Sequence, residues 1–449
     1  MNAETHMDPS MLSAAEAANA LADGRISSEE LVQACLARIK ADEERVQAWA
    51  HLDSEYALGQ AREADLRRRE GRALGPLHGL PVGIKDIIDT RGMPTEDGTV
   101  LHAGRTPYRD ATLVSMLYAA GAIIMGKTVT TELATYTPGK TRNPHNPEHT
   151  PGGSSSGSAA AVAAHMVPLA IGTQTNGSVI RPAAYCGVVG YKPSFGLISR
   201  HGVLKQSPPL DQIGVMARTV EDAALLAEQL IGYDEEDPAT RPTPRPPLRE
   251  TAMQEPPVPP TLAFVKTQVW KQADAETHEA FAELVAHLGE RVEEFKLPDG
   301  FKDAWKWQQT IMEADLAKNY EPEYSKGRDK LSETLRAQIE RGRKVRAVDY
   351  NKALDQVPAL NRALEQMFEL RYEAILTPAT TGTAPRGLES TGSPAFCTLW
   401  TLCGLPAITL PLMQGEDGLP LGVQLVGPRG SDARLLRTAR WLVAQVQPG

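Results

Sequence analysis

Hydrophobic and polar positions alternate along this chain with two different periods. In SSEELVQACLARI, Leu31, Cys35 and Ile39 fall at helical spacing. Ser27 stands three residues ahead of Glu30, a capping-box pattern, so the stretch predicts an amphipathic helix. LPVGIKDII at 80–88 and GAIIMG at 121–126 are short branched apolar runs that predict buried strands. The segment 138–158, PGKTRNPHNPEHTPGGSSSGS, is almost free of apolar residues and rich in turn formers. A polar loop of that length inside a compact domain is usually functional or disordered. SAAAVAAHMV then predicts a small-residue helix able to pack close to its neighbours. Residues 238–260, PATRPTPRPPLRETAMQEPPVPP, look too proline-rich for helix or sheet and predict a stiff surface connection. TLAFV predicts a strand, about 275–370 a mostly helical stretch, ILTPAT, PAITLPL and LGVQLVG returning strands, and DARLLRTARWLVAQ a closing helix. Helix and strand signals alternate, with no internal repeat, which points to an α/β fold with helices covering the sheet.

Composition narrows the class of partner. With 449 residues the chain can bury a large core, as one large enzyme domain or two domains. Its 47 basic and 56 acidic residues give a net charge of -9, leaving no positive excess for phosphates, so nucleic acid is not an expected partner. The four cysteines, Cys35, Cys186, Cys397 and Cys403, show neither CxxC nor zinc-site spacing and read as reduced core residues, with no metal implied. MNAETHMDPS lacks the basic and apolar regions of a secretory leader, and no apolar run approaches the ~20 residues of a membrane span. A cytoplasmic protein without a membrane partner is therefore expected, and the sequon Asn176-Gly177-Ser178 reads as chance.

Two familiar motifs read as decoys. Gly121 to Thr128, GAIIMGKT, fits a phosphate-loop pattern, but Ala-Ile-Ile-Met favours a core strand over a loop curled around phosphate. Gly153 to Gly157, GSSSG, fits the nucleophile-elbow pattern around Ser155, yet no strand precedes it and no histidine follows His287. What remains is Lys85, set in an apolar strand, together with two serine-bearing glycine turns. Strand alternation sends Lys85 to the face opposite Asp86. Spacing alone leaves two readings: a buried lysine driven toward neutrality, or one that snorkels or pairs with an acid.

The stretch TPGGSSSGSAAAVAAHMVPLAIGTQTNGSVIRPAAYCGVVGYKPSFG resembles the signature region of the amidase signature family of serine hydrolases. LPVGIKDIIDT, GKTVTTELA, TRNPHNPEHTPGG, CGLPAITLPL and GLPLGVQLVG resemble it in the same order. The resemblance implies a mixed central β-sheet sandwiched between helices in one domain over 1–449. Its core would span about 75–220 and 370–449, with a variable region at about 238–370 over the pocket. It also implies a catalytic lysine at Lys85, a cis-serine at Ser154 after a cis peptide from Gly153, and a nucleophile at Ser178. The backbone N–H groups around Thr175, Asn176, Gly177 and Ser178 would form the oxyanion hole. No histidine, metal or cofactor enters that chemistry.

Departures from the family pattern bear on substrate. Gln174 replaces a usual aspartate, Asn176 and Ser156 replace glycines, and Ile180 takes the place of a common arginine, with Arg181 following. That offset resembles the malonamidase-like branch, in which the equivalent arginine binds a substrate carboxylate. For Arg181 the alternatives are a substrate acceptor or backbone carbonyls that tie down the loop. Trp305, Trp307 and the Cys397–Cys403 segment are candidate pocket walls, with helix packing equally open to the tryptophans. The expected substrate is a small amide, with carbamates (urethanes) and esters chemically adjacent. An amidotransferase component that works only beside partners is the alternative, and a monomer or homodimer the expected state.

Overall fold

A computed structural model describes residues 8–447. Eleven strands form one sheet. They are β1 (Trp49–Leu52), β2 (Pro81–Lys85), β3 (Ile123–Thr128), β4 (Leu169–Gln174), β5 (Val189–Lys192), β6 (Gln212–Ala217), β7 (Leu262–Phe264), β8 (Val292–Glu294), β9 (Ala374–Pro378), β10 (Ala407–Gln414) and β11 (Pro420–Val426). Their order is β1-β3-β2-β4-β6-β5-β10-β11-β9-β7-β8. β3, β2 and β4 run parallel, and so do β9, β7 and β8, while the middle pairs are antiparallel. The α/β class with a mixed sheet between helices is thus the observed architecture.

Local chemistry accounts for the elements that position the site. Ser27 caps the helix Ser28–Val46 through the two reciprocal bonds of a capping box with Glu30, and Leu31, Cys35 and Ile39 are buried beneath it. β2 and β4 are buried along their whole length, as expected of parallel strands covered on both faces. Helices Ser156–Ala163 and Ile180–Tyr185 lie along one face of the sheet, and Val220–Leu230 and Asp432–Val446 along the other. The first pair seats very closely. A Cβ on Gly190 would come 2.5 Å from the Ala183 Cβ, and one on Gly422 2.6 Å from that of Ala184.

The proline-rich segment is not wholly irregular. Leu248–Met253 forms a helix that starts directly after Pro247 and buries Leu248 and Ala252. Prolines gathered ahead of a helix cost it no interior hydrogen bond, so LRETAM was free to coil. Beyond it, β7 and β8 extend the sheet before the helices Ala304–Asn319, Glu333–Gly342 and Ala347–Leu370. Among the described residues no helix is long and apolar enough to cross a membrane.

Candidate active site

Parallel β2 and β4 deliver their carboxyl ends, Lys85 and Gln174, to one edge, where open α/β sheets commonly bind ligands. Lys85 is fully buried, and its Nζ donates to Ser154 Oγ at 2.7 Å and Thr173 Oγ1 at 2.8 Å. Burial holds its pKa well below that of an ordinary lysine, and the Asp211 carboxylate only partly offsets this. The acid next to it in sequence belongs to a different lysine. Asp86 lies 4.0 Å from Lys127 Nζ, which also donates to Thr95 Oγ1 at 2.8 Å and to the Ile88 carbonyl. Desolvation raises Asp86 to about 7 and lowers Lys127 to about 8. Lys127 of GAIIMGKT is therefore a core residue of β3, its ammonium spent on internal acceptors.

The GSSSGS turn places each serine differently. The Gly153-Ser154 peptide is cis. Ser155 Oγ is bonded to both the N–H and the carbonyl of Thr173, each at 3.2 Å, which ties it to β4. Ser156 donates to the Gly152 carbonyl at 2.8 Å and Ser158 to the Ile171 carbonyl at 2.9 Å. Of the four, only Ser154 faces the lysine.

Ser178 ends a second turn. Gln174 Oε1 accepts from the N–H groups of Val179 (2.8 Å) and Ile180 (3.0 Å), capping the helix Ile180–Tyr185, while its Nε2 donates to Thr401 Oγ1 at 2.9 Å. Asn176 is fixed by Thr398 and Tyr136 through its side chain and by Thr401 through its carbonyl. Gly177 has no room for a Cβ, which would come 2.9 Å from Pro394 and 3.2 Å from Cys397. The backbone N–H groups of Asn176, Gly177 and Ser178 donate to nothing among the described residues. Ser178 itself is 9% exposed, and its hydroxyl makes no hydrogen bond there.

Arg181 joins the two turns. Its guanidinium is buried and donates to the Gly153 carbonyl at 2.7 Å and the Gly392 carbonyl at 2.5 Å. The loop-tying geometry is the one it adopts. Cavities flank the 173–178 turn: one of about 670 Å³ bordered by Thr173, Thr175 and Asp211, another of about 350 Å³ bordered by Asn176, Tyr136 and Trp305. Trp305 also donates to the Ala395 carbonyl at 2.8 Å, whereas Trp307 borders neither cavity.

Thr173, Gln174 and Asp211 carry parts of this site that the sequence did not single out in those roles. Asp211 is half-buried at the edge of the larger cavity, accepts from Thr175 Oγ1 at 2.7 Å and is raised by desolvation to about 6. The available signal for Thr173 was parallel pairing, which sets Ile84 beside Ile171 and hence Lys85 near Thr173. No group of three or more metal-ligating side chains occurs among the described residues.

A sheet-end lysine bonded to one serine, beside a capped turn that offers another serine and free amides, defines an α/β enzyme suited to acyl transfer without histidine. The amidase family model matches residues 30–436, and the chain belongs to that family, enzymes acting on C–N bonds. It is 36% identical over 467 residues to a glutamyl-tRNA(Gln) amidotransferase subunit of Chloroflexus aggregans, covering 95% of this chain and 94% of that one. Among solved structures, 6-aminohexanoate cyclic dimer hydrolase matches with a TM-score of 0.87 and 27% identity over 98% of each chain. The peptide amidase of Stenotrophomonas maltophilia matches with 0.83 and 29% over 97% of each.

Proposed function

We propose that the chain hydrolyses a C–N bond of a small amide through an acyl-enzyme on Ser178. The observation that carries this reading is Lys85, buried, held low in pKa and 2.7 Å from Ser154 Oγ. Ser178 attacks the carbonyl as its proton passes to Ser154 and on to neutral Lys85, and the same path returns a proton to the leaving amine. Water then releases the acid. The free N–H groups over 176–178, with Thr175 next to them, suit the oxyanion, and losing one such donor typically costs roughly 3 kcal/mol. Arg181 acts here as a positioning residue rather than a substrate ligand, because both of its terminal nitrogens donate to backbone carbonyls. Carbamates and esters present the same carbonyl to the same nucleophile, so urethane cleavage is adjacent chemistry.

A second reading draws on the relatives: the chain works within an amidotransferase, beside partners. Hydrolysis by the isolated chain of a neutral anilide, an aryl carbamate, an ester and malonamate, with Ser178→Ala alongside, separates the two. Turnover lost in the variant supports the hydrolase. Inactivity on every member, with activity restored only by partner chains, supports the other.

A further inference from the structure

Lys85 is buried with two hydroxyls as its hydrogen-bond partners and no carboxylate among them. Asp86, next in sequence, serves Lys127 instead. A lysine so placed is stable while neutral, but an ammonium formed there would be poorly solvated, and an uncompensated buried charge is costly. Sheet register points to the group that compensates it. β2, β4 and β6 are neighbours, and the antiparallel pairing of β4 with β6 sets Thr173 opposite Ile213 and Gln174 opposite Gln212, so Thr175 and Asp211 meet where the strands end. Thr173 and Thr175, two residues apart, border the cavity of about 670 Å³ together with Asp211. Thr173 Oγ1 accepts from Lys85 Nζ at 2.8 Å, and Thr175 Oγ1 donates to Asp211 Oδ1 at 2.7 Å.

The other carboxylates around that cavity have cationic partners of their own. Arg105 pairs with Asp89 at 2.8 Å, His102 with Asp97 at 2.8 Å and Arg200 with Asp237 at 2.7 Å, while exposed Glu236 lies 3.9 Å from His201. Lys205 is exposed. Arg200 reaches Asp211 as well, but donates to its backbone carbonyl. Among the described residues the Asp211 carboxylate accepts only from Thr175 and from the N–H groups of Gln206 and Ser207, none of them a cation. Its charge is also the one that acts on Lys85, raising the lysine against the effect of burial. Desolvation lifts Asp211 only to about 6, so it is ionised at neutral pH. On the hydrolase reading, we infer that Asp211 is a positioning residue of the proton relay: its carboxylate is the counter-charge for the ammonium that Lys85 becomes when it takes the Ser178 proton by way of Ser154. It acts through Lys85 and stays ionised throughout, as the aspartate of a Ser-His-Asp triad does beside its imidazolium.

The test is an NMR titration of Lys85 in full-length Ser178→Ala protein carrying isotope-labelled lysine, which is independent of turnover. Loss of one signal in Lys85→Arg identifies the resonance. Asp211→Asn removes the charge, while its carboxamide can still accept from the Gln206 and Ser207 N–H groups and donate to Thr175. In that variant the Lys85 midpoint should move to lower pH by at least about half a pH unit, because an opposite charge favours the ammonium. Asp211→Glu, which keeps the charge, should hold the midpoint near its original position. With Ser178 intact, the rising limb of kcat/KM should follow the same shift. The plateau kcat should fall at least about threefold in Asp211→Asn, which is half a pH unit converted to rate, and recover in Asp211→Glu. An unmoved midpoint in Asp211→Asn, a move to higher pH, an equal move in Asp211→Glu, or turnover that ignores the charge would overturn the inference. Hydrolysis itself is read separately. A midpoint that follows the Asp211 charge in a chain that cleaves nothing with Ser178 intact would sink the hydrolase reading and keep the pairing of Asp211 with Lys85.

Discussion

Replacing Arg181 by methionine tests whether this buried cation positions the catalytic turns or binds substrate. The change keeps most of the side-chain volume and deletes two charge-assisted hydrogen bonds, at 2.7 Å to Gly153 and 2.5 Å to Gly392. Each is worth about 1.5–3 kcal/mol, so the direct loss is about 3–6 kcal/mol. Acting the other way, the guanidinium sits without a carboxylate partner, its Nε is unpaired, and burial lowers its pKa. Removing a charge so placed recovers on the order of several kcal/mol of desolvation. The two terms nearly cancel, and urea unfolding should show a loss of no more than about 3 kcal/mol. Catalysis has no such compensation. The Gly153 carbonyl belongs to the peptide that carries Ser154, and Arg181 lies one turn past Ser178, so the bond fixes one serine relative to the other. A shift of about 1 Å in such a constellation costs ~10²-fold. Steady-state kinetics on malonamate and on a matched neutral amide should therefore show kcat down about 100-fold on both, with their ratio held within twofold. A rise in KM for malonamate alone, with the neutral amide turned over normally, would refute the positioning argument.

Gln174→Ala should unseat the Ile180–Tyr185 helix start, since two buried N–H groups lose their acceptor at about 1–3 kcal/mol each. Gln174→Glu, which keeps an acceptor but not the Thr401 donor, should recover part of that loss in the same urea titration. The rising limb of kcat/KM against pH should lie well below the 10.5 of an ordinary lysine, because burial favours neutral Lys85. A limb near 10.5 would count against the proton path. His102, bonded to Asp97 at 2.8 Å and Glu323 at 3.1 Å, is raised to about 9 by those carboxylates. A raised pKa means that its contribution to stability is full below its unfolded value of about 6.5 and disappears as pH rises through about 9. Thermal melting should therefore fall between pH 6.5 and 9, and the fall should be shallower in His102→Gln.

The parts of the site written in consecutive residues were legible in the sequence. Lys85 in its apolar strand, the two serine turns and the opposed directions of Lys85 and Asp86 all follow from local pattern, period and family resemblance. Helix Leu248–Met253 was hidden because prolines on both sides masked a short run of mostly good helix formers. Thr173 and Asp211 were hidden for a different reason. Their roles depend on parallel register and on a contact between Thr175 and Asp211, 36 positions apart, and nothing in a one-dimensional pattern encodes either. Arg181 was seen, but its choice between substrate and carbonyls turned on Gly392, 211 residues away.

The glycines under the catalytic helices divide the molecule into regions of unequal tolerance. With no space above Gly190 or Gly422 for even a methyl group, any side chain there would lift Ala183 or Ala184 and carry Arg181 with them. Variation in that layer is thus coupled at once to the alignment of Ser154 with Ser178. The helix Ala304–Asn319 touches the same turn through a side chain, Gln308 donating to the Thr175 carbonyl at 3.3 Å. Substitutions on that helix can therefore change the wall of the turn while the close-packed layer beneath it stays in place, whereas substitutions in the sheet layer move the turn itself.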